Sequence, residues 1–510
     1  MNRLLLLSCM LTYCLTFGQE KRIPKKQIHR GFFVVDYVSV DMPTSDLGLD
    51  EPHMALTGVH YNLDLTHFYA GLGIYGAVRG RRGGFFTLGV DLGFRSYLND
   101  TFFLDTGIHF GGGGGSGAPD GGGAFILPHL SLGKTFQHVS LTAGYSYINF
   151  FDAGNIKSHQ AHIGLQIPLT IDYSTIDYAE TTFSASELLH SEWGKNSRRM
   201  SFMLHLNHLS PHGNSQNSDG ESLVGKTIRL AGFEMNAYLN NDWFLFAKFD
   251  GAYDGIRAGY MDILLGGGYH LGFHRNRTNI LAKFGMGAGG GGGVETKGGI
   301  LMYPDISIER YLLSNVYLSI NKGFLISPDT FFESSTFGIG LKYYTNMNGV
   351  ADLPRDQKVH FKGFEVVVKH DVYAQADRMV DPAEELHQLS VQFNYYLGKH
   401  HYLAGQTSFA NFGNAGAYAE GIVGLGIQTH KVWNGRVTFF VQGLIGGAGG
   451  GNISTGEGLI VKPSAGIQTQ LSSGLSLRGA FGYVKAINGG LRSPFANLGL
   501  SYRCSFLASK

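Results

Sequence analysis

The chain has 510 residues, with 40 Lys and Arg against 39 Asp and Glu and a formal net charge of +1. This balance provides no basic surface, so no nucleic-acid partner is expected. Charged residues make up only 15%, whereas glycine reaches 75 residues and aromatic residues 13%. After the N-terminal region no stretch has the roughly eighteen consecutive apolar residues of a membrane-spanning helix. The composition leaves a membrane β-barrel or a large soluble β-fold.

Residues 1–18 have the features of a secretory signal peptide. Arg3 precedes a short apolar run, and small residues stand at Thr16 and Gly18 before Gln19. The run is too short to span a bilayer, which favours cleavage over an anchor. Leu-Leu-Ser-Cys, ending at Cys9, superficially resembles a lipoprotein cleavage site. Cleavage before Cys9 would leave a signal peptide too short to be engaged, so lipidation is not expected. Cleavage leaves Cys504 alone, so neither a disulfide nor a cysteine metal cluster is expected. Residues 19–30 form an N-terminal segment.

Four sequence landmarks recur three times in the same order and at nearly constant offsets. They are an Asn after a half-polar run (Asn62, Asn236, Asn394), a glycine run (bounded by Gly111 and Gly115, Gly289 and Gly293, Gly449 and Gly451), a Pro after an apolar run (Pro128, Pro304, Pro463) and a Gly-Leu pair (at Gly164, Gly340, Gly499). Such self-similarity indicates tandem structural repeats. We predict β repeats at 31–168, 198–345 and 360–506, joined by linkers at 169–197 and 346–359.

Within each copy, apolar and polar residues alternate with a period of two, which predicts strands with different environments on their two faces. In the fourth strand, Leu88, Val90 and Leu92 alternate with Gly89 and Asp91. In a membrane barrel the apolar set faces lipid and the polar set faces the lumen. The charged candidates for the lumen are Asp91, Arg95, Asp105, His109, Asp262, Lys283, Asp305, Glu309 and Arg478.

The predicted connections alternate between short and long. In the first copy those near residues 63–66, 98–101 and 133–138 are short, whereas 42–53, 111–123 and 151–159 are longer, with 79–84 as an exception. Outer-membrane barrels have short turns on the periplasmic side and long loops outside, and a soluble sandwich has no reason to sort its loops in this way.

Each copy therefore resembles the small eight-stranded outer-membrane barrel proteins of Gram-negative bacteria. The last strand, with Gly499, Tyr502 and Phe506, is similar to their closing strand, although the chain continues past Phe506 with Leu-Ala-Ser-Lys. The resemblance implies location in the bacterial outer membrane, contact with its lipid, and insertion by the barrel-assembly machinery. It identifies no particular protein.

The predicted fold is all-β: a transmembrane antiparallel β-barrel from three tandem repeats of about eight strands. The repeats can close as one barrel of about 24 strands or as three barrels of eight, because barrel diameter grows with strand number. Gly, Ser and Thr fill a small lumen poorly, and unpaired buried charges are costly, so a wide, wet lumen is favoured. The long first linker favours three separate units. We favour one large barrel slightly.

The sequence predicts neither an enzyme nor a cofactor nor a metal site. The glycine runs satisfy no nucleotide-binding motif, because no helical periodicity follows them. His208-x-Ser210 partly resembles the His-x-Ser-Asn motif of outer-membrane lipid A deacylases, but Pro211 replaces the Asn and the other copies lack the motif. The pair His400-His401 lies at a predicted turn, where solvation is the default.

Two functions are consistent with this fold, and both rest on fold-level reasoning. The first, which we favour, is a passive pore for small polar solutes, with the lumen charges biasing selectivity. The alternative is a non-conducting structural or accessory envelope protein that presents surface loops or docks a secretion or surface complex with envelope protein partners. A lipid-modifying hydrolase is a distant third.

Overall fold

The computed structural model describes residues 22–43, 51–328, 332–433 and 435–509. The signal peptide predicted at 1–18 lies outside these ranges. Regular structure in the described residues is almost entirely antiparallel β-strand. Among these residues no helix combines the length and the apolar character needed to cross a membrane.

The first eight strands close on themselves. They are β1 (Gln27–Asp41), β2 (His53–Leu65), β3 (Phe68–Arg79), β4 (Phe86–Tyr97), β5 (Phe102–Gly114), β6 (Phe125–Thr135), β7 (Ser140–Phe150) and β8 (Lys157–Thr175). Each strand pairs with the next, and β1 also pairs with β8, from Gln27 opposite Tyr173 to Val38 opposite His162. This pairing leaves no free edge, and we call the unit barrel 1.

Two further barrels repeat this topology. Barrel 2 consists of β10 (Arg198–His212), β11 (Ile228–Tyr238), β12 (Trp243–Asp254), β13 (Met261–Phe273), β14 (Thr278–Gly290), β15 (Ile300–Leu313), β16 (Val316–Ile326) and β17 (Glu333–Met347). Barrel 3 consists of β18 (Lys358–Ala376), β19 (Glu384–Tyr396), β20 (His401–Phe412), β21 (Ala419–Gln428), β22 (Val437–Gly449), β23 (Leu459–Gln470), β24 (Leu475–Ala486) and β25 (Arg492–Ser509). Barrel 2 closes by pairing β10 with β17, and barrel 3 by pairing β18 with β25.

The preference for a single barrel of about 24 strands was therefore wrong. A single barrel would require the last strand of each copy to pair along its length with the first strand of the next. Instead, the first and last strands of one copy pair over most of their length, as in Arg198 opposite Met347 through His212 opposite Glu333. Contacts between β25 and the last strands of the other barrels involve only two residue pairs each.

The eight strands of each barrel are counted from one to eight. At one end of the barrel, the turn end, the second, fourth and sixth strands connect to the strand that follows. At the other end, the loop end, the first, third, fifth and seventh strands do so. The turn-end connections of barrel 1 comprise residues 66–67, 98–101 and 136–139, whereas a loop-end connection such as 115–124 is longer. The chain passes from one barrel to the next at the turn end.

The first linker folds against the turn end of barrel 3. It contains a 3-10 turn (Ile176–Tyr178), β9 (Thr182–Ser184) and the short helix α1 (Ala185–Leu188). Strand β9 pairs with the start of β18. A small apolar cluster joins this linker to the second one and to β25, and it consists of Phe183, Ala185, Leu188, Trp193, Val350, Val359, Phe361 and Leu507. The Trp193 indole N–H also donates to Pro24 O at 2.8 Å.

The three barrels also meet in the half of their walls near the loop end. An apolar cluster draws on all three and consists of Phe86, Leu88, Ile263, Ala288, Leu389, Val391 and Phe409. In β4, Leu88 is buried there, whereas Leu92 further along the same face is exposed. The outer face of one barrel is thus partly covered by its neighbours, and the chain is a covalently linked trimer of barrels.

Candidate functional site: the barrel lumens

The two faces of the strands follow the inverted pattern of membrane barrels. Outward side chains are apolar and exposed, as at Leu206 and Leu425, whereas the inward set contains the buried charges. Trp243 and Trp433 are exposed at the turn end, where aromatic residues of such barrels meet the lipid headgroups. An exposed apolar belt around a polar interior fits a bilayer, because in water such a large apolar surface would stay exposed to solvent.

The structure places the predicted lumen residues inside the three separate barrels. Asp91, Asp105 and His109 are buried in barrel 1, with Arg95 partly buried beside them. The four candidates of barrel 2 and the one of barrel 3 are also buried, namely Asp262, Lys283, Asp305, Glu309 and Arg478. These groups do not share one channel, because each barrel closes on its own.

In barrel 2 the charges form a connected ion-pair network. Lys283 Nζ lies 2.7 Å from Glu234 Oε2 and 3.2 Å from Asp305 Oδ2. Lys342 Nζ lies 2.8 Å from Glu309 Oε1 and 3.6 Å from Glu234 Oε1. A second lysine in the same lumen, Lys248, pairs with Asp250 and Asp262. Pairing of this kind is how buried charges offset their loss of hydration.

In barrel 3 the buried charges are also paired, but through different residues. Arg478 Nη1 lies 3.2 Å from Glu365 Oε2. Lys462 Nζ lies 3.0 Å from both Asp371 Oδ2 and Glu420 Oε2. Arg478 also lies over the Phe440 ring, 3.6 Å from its centroid. The lumen is therefore filled by paired charges and aromatic rings, and the charges need no wide aqueous channel.

Barrel 1 replaces most of the lysines and arginines with imidazoles. Arg95 Nη2 contacts Asp105 Oδ2 at 3.2 Å, and the Gln166 amide donates to the same oxygen at 3.0 Å. The two carboxylates closer to the loop end, Asp36 and Asp91, have imidazoles and a tyrosine hydroxyl as partners. The chemistry of this lumen differs from that of the other two.

A layer of apolar side chains lies inside each barrel toward the loop end. In barrel 1 it includes Val40, Phe85, Phe125 and Phe150, all with 0% exposed surface. Corresponding clusters occur inside barrel 2 and barrel 3, around Tyr260 and Tyr418. This layer separates the charged networks from the loop end, since side chains fill the interior of a barrel of this strand number.

Several lumen residues that complete these networks were not among those predicted from the sequence. They are Asp36, His60, His129, His162, Glu234, Lys248, Asp250, Lys342, Glu365, Lys369, Asp371, Glu420 and Lys462. The alternation that identified Asp91 also applies to these strands. His60, for example, occupies the inward phase of β2 between Val59 and Tyr61. Their mutual distances required the register between strands, which no single strand contains.

The glycine runs lie at the ends of the fifth strands, and several of their residues contact another barrel. Gly112 lies against Ala410 of barrel 3, and Gly449 lies against Gly259 of barrel 2. Other residues of the runs contact their own barrel. A Cβ on Gly111, Gly115, Gly289 or Gly451 would meet Leu88, Gly84, Leu301 or Ala415 respectively, and Gly293 O accepts from Ser218 N at 2.8 Å. The runs therefore allow close approach of backbones, and no helix follows them.

The hydrolase motif is not arranged around a cavity. His208 and Ser210 are two residues apart on β10, in the phase of the outward residues Leu204 and Leu206. The inward histidine of this strand is His205, whose Nε2 lies 2.6 Å from Asp250 Oδ1. The surface pair expected at His400-His401 lies at the turn end, where the His400 and His430 rings are 4.1 Å apart.

No protein-family model and no curated protein matches the chain. Among solved structures it is similar to the outer membrane protein OpdK of Pseudomonas aeruginosa, at 10% identity over 94% of this chain and 99% of that chain, with a TM-score of 0.23. It is also similar to a BenF-like porin from Pseudomonas fluorescens Pf-5 (7% identity, 94% and 99% covered, TM-score 0.24) and to the siderophore receptor PirA of Pseudomonas aeruginosa (9%, 94% and 81%, 0.26). At these TM-scores the similarities carry no argument about function. The closed antiparallel barrels with apolar belts have, by their own geometry, the architecture of outer-membrane β-barrel proteins.

Proposed function

We propose that this chain is a non-conducting structural or accessory protein of the bacterial outer membrane. Its three barrels anchor loops outside the membrane, where a secretion or surface complex can dock. The observation that carries this proposal is the filled lumen of each barrel. Paired charges occupy the middle of the lumen and a buried apolar layer lies toward the loop end.

The three-barrel junction supports the same conclusion. A pore between the barrels would need polar walls, but the residues that meet there are apolar and buried, including Leu88, Ile263 and Val391. Water and small polar solutes gain no hydrogen-bonding partners from such side chains. The fused arrangement instead holds three sets of loops at fixed spacing on one side of the membrane.

A passive pore for small polar solutes is the second candidate, and the charged residues inside every barrel favour it. The two proposals predict different results in one measurement: single-channel conductance of the purified, refolded full chain in a planar bilayer. A non-conducting protein gives no stable steps, whereas a pore gives reproducible ones. Insertion of the protein is verified independently by protease protection of the barrels.

A control variant shows whether an absence of conductance steps is due to the filled lumen. Replacing Phe85, Phe125 and Phe150 with Ala removes three phenyl rings from the apolar layer of barrel 1 and leaves the outward-facing residues unchanged. Brief or small conductance steps from this variant, with none from the native chain, would support a lumen closed by that layer. Stable steps from the native chain would contradict the non-conducting proposal.

A further inference from the structure

The lumen of barrel 1, unlike those of the other two barrels, contains buried carboxylates that form no ion pair with a lysine or an arginine. In barrels 2 and 3 each buried carboxylate of the described strands pairs with a lysine or an arginine. In barrel 1, Asp105 pairs with Arg95, and Asp172 near the turn end pairs with Lys26 and Lys195. Among the residues that the structure describes, no lysine or arginine forms an ion pair with Asp36 or Asp91. Two buried negative charges therefore depend on imidazoles alone for compensation.

The imidazoles are gathered around Asp91. His60 Nδ1 lies 2.9 Å from Asp91 Oδ2, and His109 Nδ1 lies 2.7 Å from Asp91 Oδ1. One ligand atom from each of the three side chains lies within 4.8 Å of the others, and all three residues are buried. They come from β2, β4 and β5, so rigid, paired strands fix their positions.

A cavity adjoins this cluster. Its volume is about 30 Å³, and His60, Asp91 and His109 line it together with Asp36 and His162. This exceeds the roughly 10–15 Å³ that one water molecule requires. No lysine or arginine lines the cavity. The space therefore suits a small cation, with or without one water ligand.

Two further features indicate that the cluster is built for a ligand. His109 Nε2 is buried and has no hydrogen-bond partner among the described residues, and His60 Nε2 has only Asp36 Oδ2, at 3.5 Å. Glycines on neighbouring strands make room for the rings: a Cβ on Gly73 would collide with the His60 ring, and one on Gly89 would collide with the His109 ring. Buried polar atoms without partners are rare in stable folds, so this set requires an explanation.

We propose that barrel 1 binds one divalent transition-metal ion between His60, Asp91 and His109. Two imidazoles and one carboxylate are a donor set typical of zinc, which binds nitrogen and oxygen ligands at about 2.0–2.2 Å in a tetrahedron. Such bonds place ligand atoms about 3.4 Å apart. This distance lies between the 2.7 and 2.9 Å contacts of the two imidazoles with Asp91 and the 4.8 Å within which all three ligand atoms lie. The fourth ligand is a water molecule in the adjoining cavity.

The surrounding residues fit this role. When Nδ1 of His60 binds the metal, its Nε2–H faces Asp36 Oδ2 at 3.5 Å, which orients the ring as second carboxylates do in zinc sites. Asp36 in turn accepts from the Tyr75 hydroxyl at 2.7 Å and lies 3.0 Å from His162 Nε2. The double charge of the ion offsets Asp36 and Asp91, as the lysines do for the carboxylates of barrels 2 and 3.

The test measures metal content of the full chain. An apolar layer lies between the site and the loop end and hinders metal from reaching the site in the folded protein. The protein is therefore unfolded in denaturant with a chelator present and refolded in detergent with Zn²⁺, and free metal is then removed. Mass spectrometry counts the bound zinc. Refolding with Co²⁺ instead gives a visible spectrum that reports tetrahedral nitrogen and oxygen coordination. We expect one ion per chain.

Four variants assign the site. His109→Gln and His60→Gln remove one ligand each and are expected to lower the stoichiometry at least tenfold. His205→Gln removes the imidazole that pairs with Asp250 in barrel 2, and His430→Gln disrupts the surface pair with His400, so both are controls expected to retain one ion. Circular dichroism verifies that each variant is a folded β-protein.

The proposal is overturned if the refolded native chain binds no zinc or cobalt, or if folded His109→Gln and His60→Gln retain a full equivalent. Loss of the ion in His430→Gln alone would place the site at the turn end and would also overturn it. Should one ligand variant fail to fold, the other and the cobalt spectrum of the native chain decide the outcome.

Discussion

Ion pairs between lumen residues offset the cost of burying their charges inside the barrels. Lys283 contacts Glu234 and Asp305 inside barrel 2, and all three side chains are buried. Removing one partner of such a network leaves buried charge without compensation, which is more costly than never having buried it. We expect Lys283→Met to lower the free energy of unfolding by about 3–5 kcal/mol, measured by urea titration in detergent.

The matched variants separate charge from packing. Lys226→Met replaces an exposed lysine of the same barrel and is expected to change the free energy of unfolding by less than about 0.5 kcal/mol. The double variant Lys283→Met with Glu234→Gln leaves less uncompensated charge and should recover part of the loss. Equal stability of Lys283→Met and the native chain would mean that water hydrates this lumen.

A loop carboxyl gives a prediction about pH. Asp120 lies in the loop between β5 and β6, where burial raises its pKa to about 7, and its Oδ2 accepts from Gly115 N at 2.7 Å. Between the pKa near 4 of the unfolded chain and about 7, the unfolded state ionises first, so stability falls as pH rises. We expect Asp120→Asn to be more stable than the native chain at pH 8 by about 4 kcal/mol, and nearly equal to it near pH 4, because each unit of the pKa shift corresponds to about 1.4 kcal/mol.

The comparison requires urea titrations of both proteins at the two pH values. Asp100→Asn serves as control, because Asp100 is exposed in a turn of the same barrel. An identical pH dependence of the Asp120→Asn variant and the native chain would show that another group is responsible for the slope.

At the scale of elements, the loops before the fourth strands and the glycine runs after the fifth strands form the contacts between barrels. Gly83 N donates to Lys297 O of barrel 2 at 2.7 Å, and Gly416 N donates to Gly121 O of barrel 1 at 3.0 Å. Gly259 of barrel 2 lies against Gly449 and Gly450 of barrel 3. The loop of each barrel thus contacts the glycine run or its following loop in the next, which is the closed head-to-tail arrangement of a threefold assembly.

One substitution tests this contact. A Cβ on Gly84 would collide with the backbone of Gly290 and Gly291 across the boundary between barrels 1 and 2. We expect Gly84→Ala to lower the free energy of unfolding by about 1–3 kcal/mol more than Gly225→Ala. The two glycines have similar φ angles, +91° and +86°, but nothing lies within 4 Å of a Cβ on Gly225. Their difference in urea titration therefore reports the contact and not backbone strain.

Hydrogen exchange gives a second measurement of the same contact. The amides of residues 289–291 in barrel 2 should exchange faster in Gly84→Ala, although the substitution is in barrel 1. If exchange changes only within barrel 1, the glycine contact does not hold the barrels together.

At the scale of the molecule, three barrels form and not one because the first and last strands of each copy pair with each other, at 12 positions in barrel 1 and 15 in each of barrels 2 and 3. β10 and β17 are both 15 residues long and pair at fifteen positions. Separation from the neighbouring barrels costs little in a bilayer, since lipid tails are as apolar as the residues they would replace.

The separate closure predicts that residues 198–347 fold without the rest of the chain. Refolded in detergent, this fragment should give a β-sheet circular dichroism spectrum and a cooperative urea transition. A fragment that starts at residue 228 lacks β10, so one edge of β17 and one edge of β11 stay unpaired, the barrel cannot close, and the fragment should remain unfolded. Failure of the first fragment to fold would mean that the barrels need one another to close.

Much of the fold follows from the sequence because strand periodicity is local. Alternation along β4 indicates the facing of Asp91 and Leu92, and the four recurring landmarks predict three copies. The candidate site follows only in part. Asp91 and His109 are inferred as inward residues, whereas His60 was not among the predicted lumen residues although the same alternation places it inward in β2.

The sequence by itself determined the strands, their two faces and the repeat, because each depends on the spacing of residues along one segment. The tertiary structure decided which strands pair across the ends of each copy, and thereby that there are three narrow barrels and not one wide one. Closure depends on hydrogen bonds between segments more than a hundred residues apart, such as Val34 opposite Gln166. The same closure places the charges of each lumen within bonding distance of one another, so these charges pair and do not line a channel.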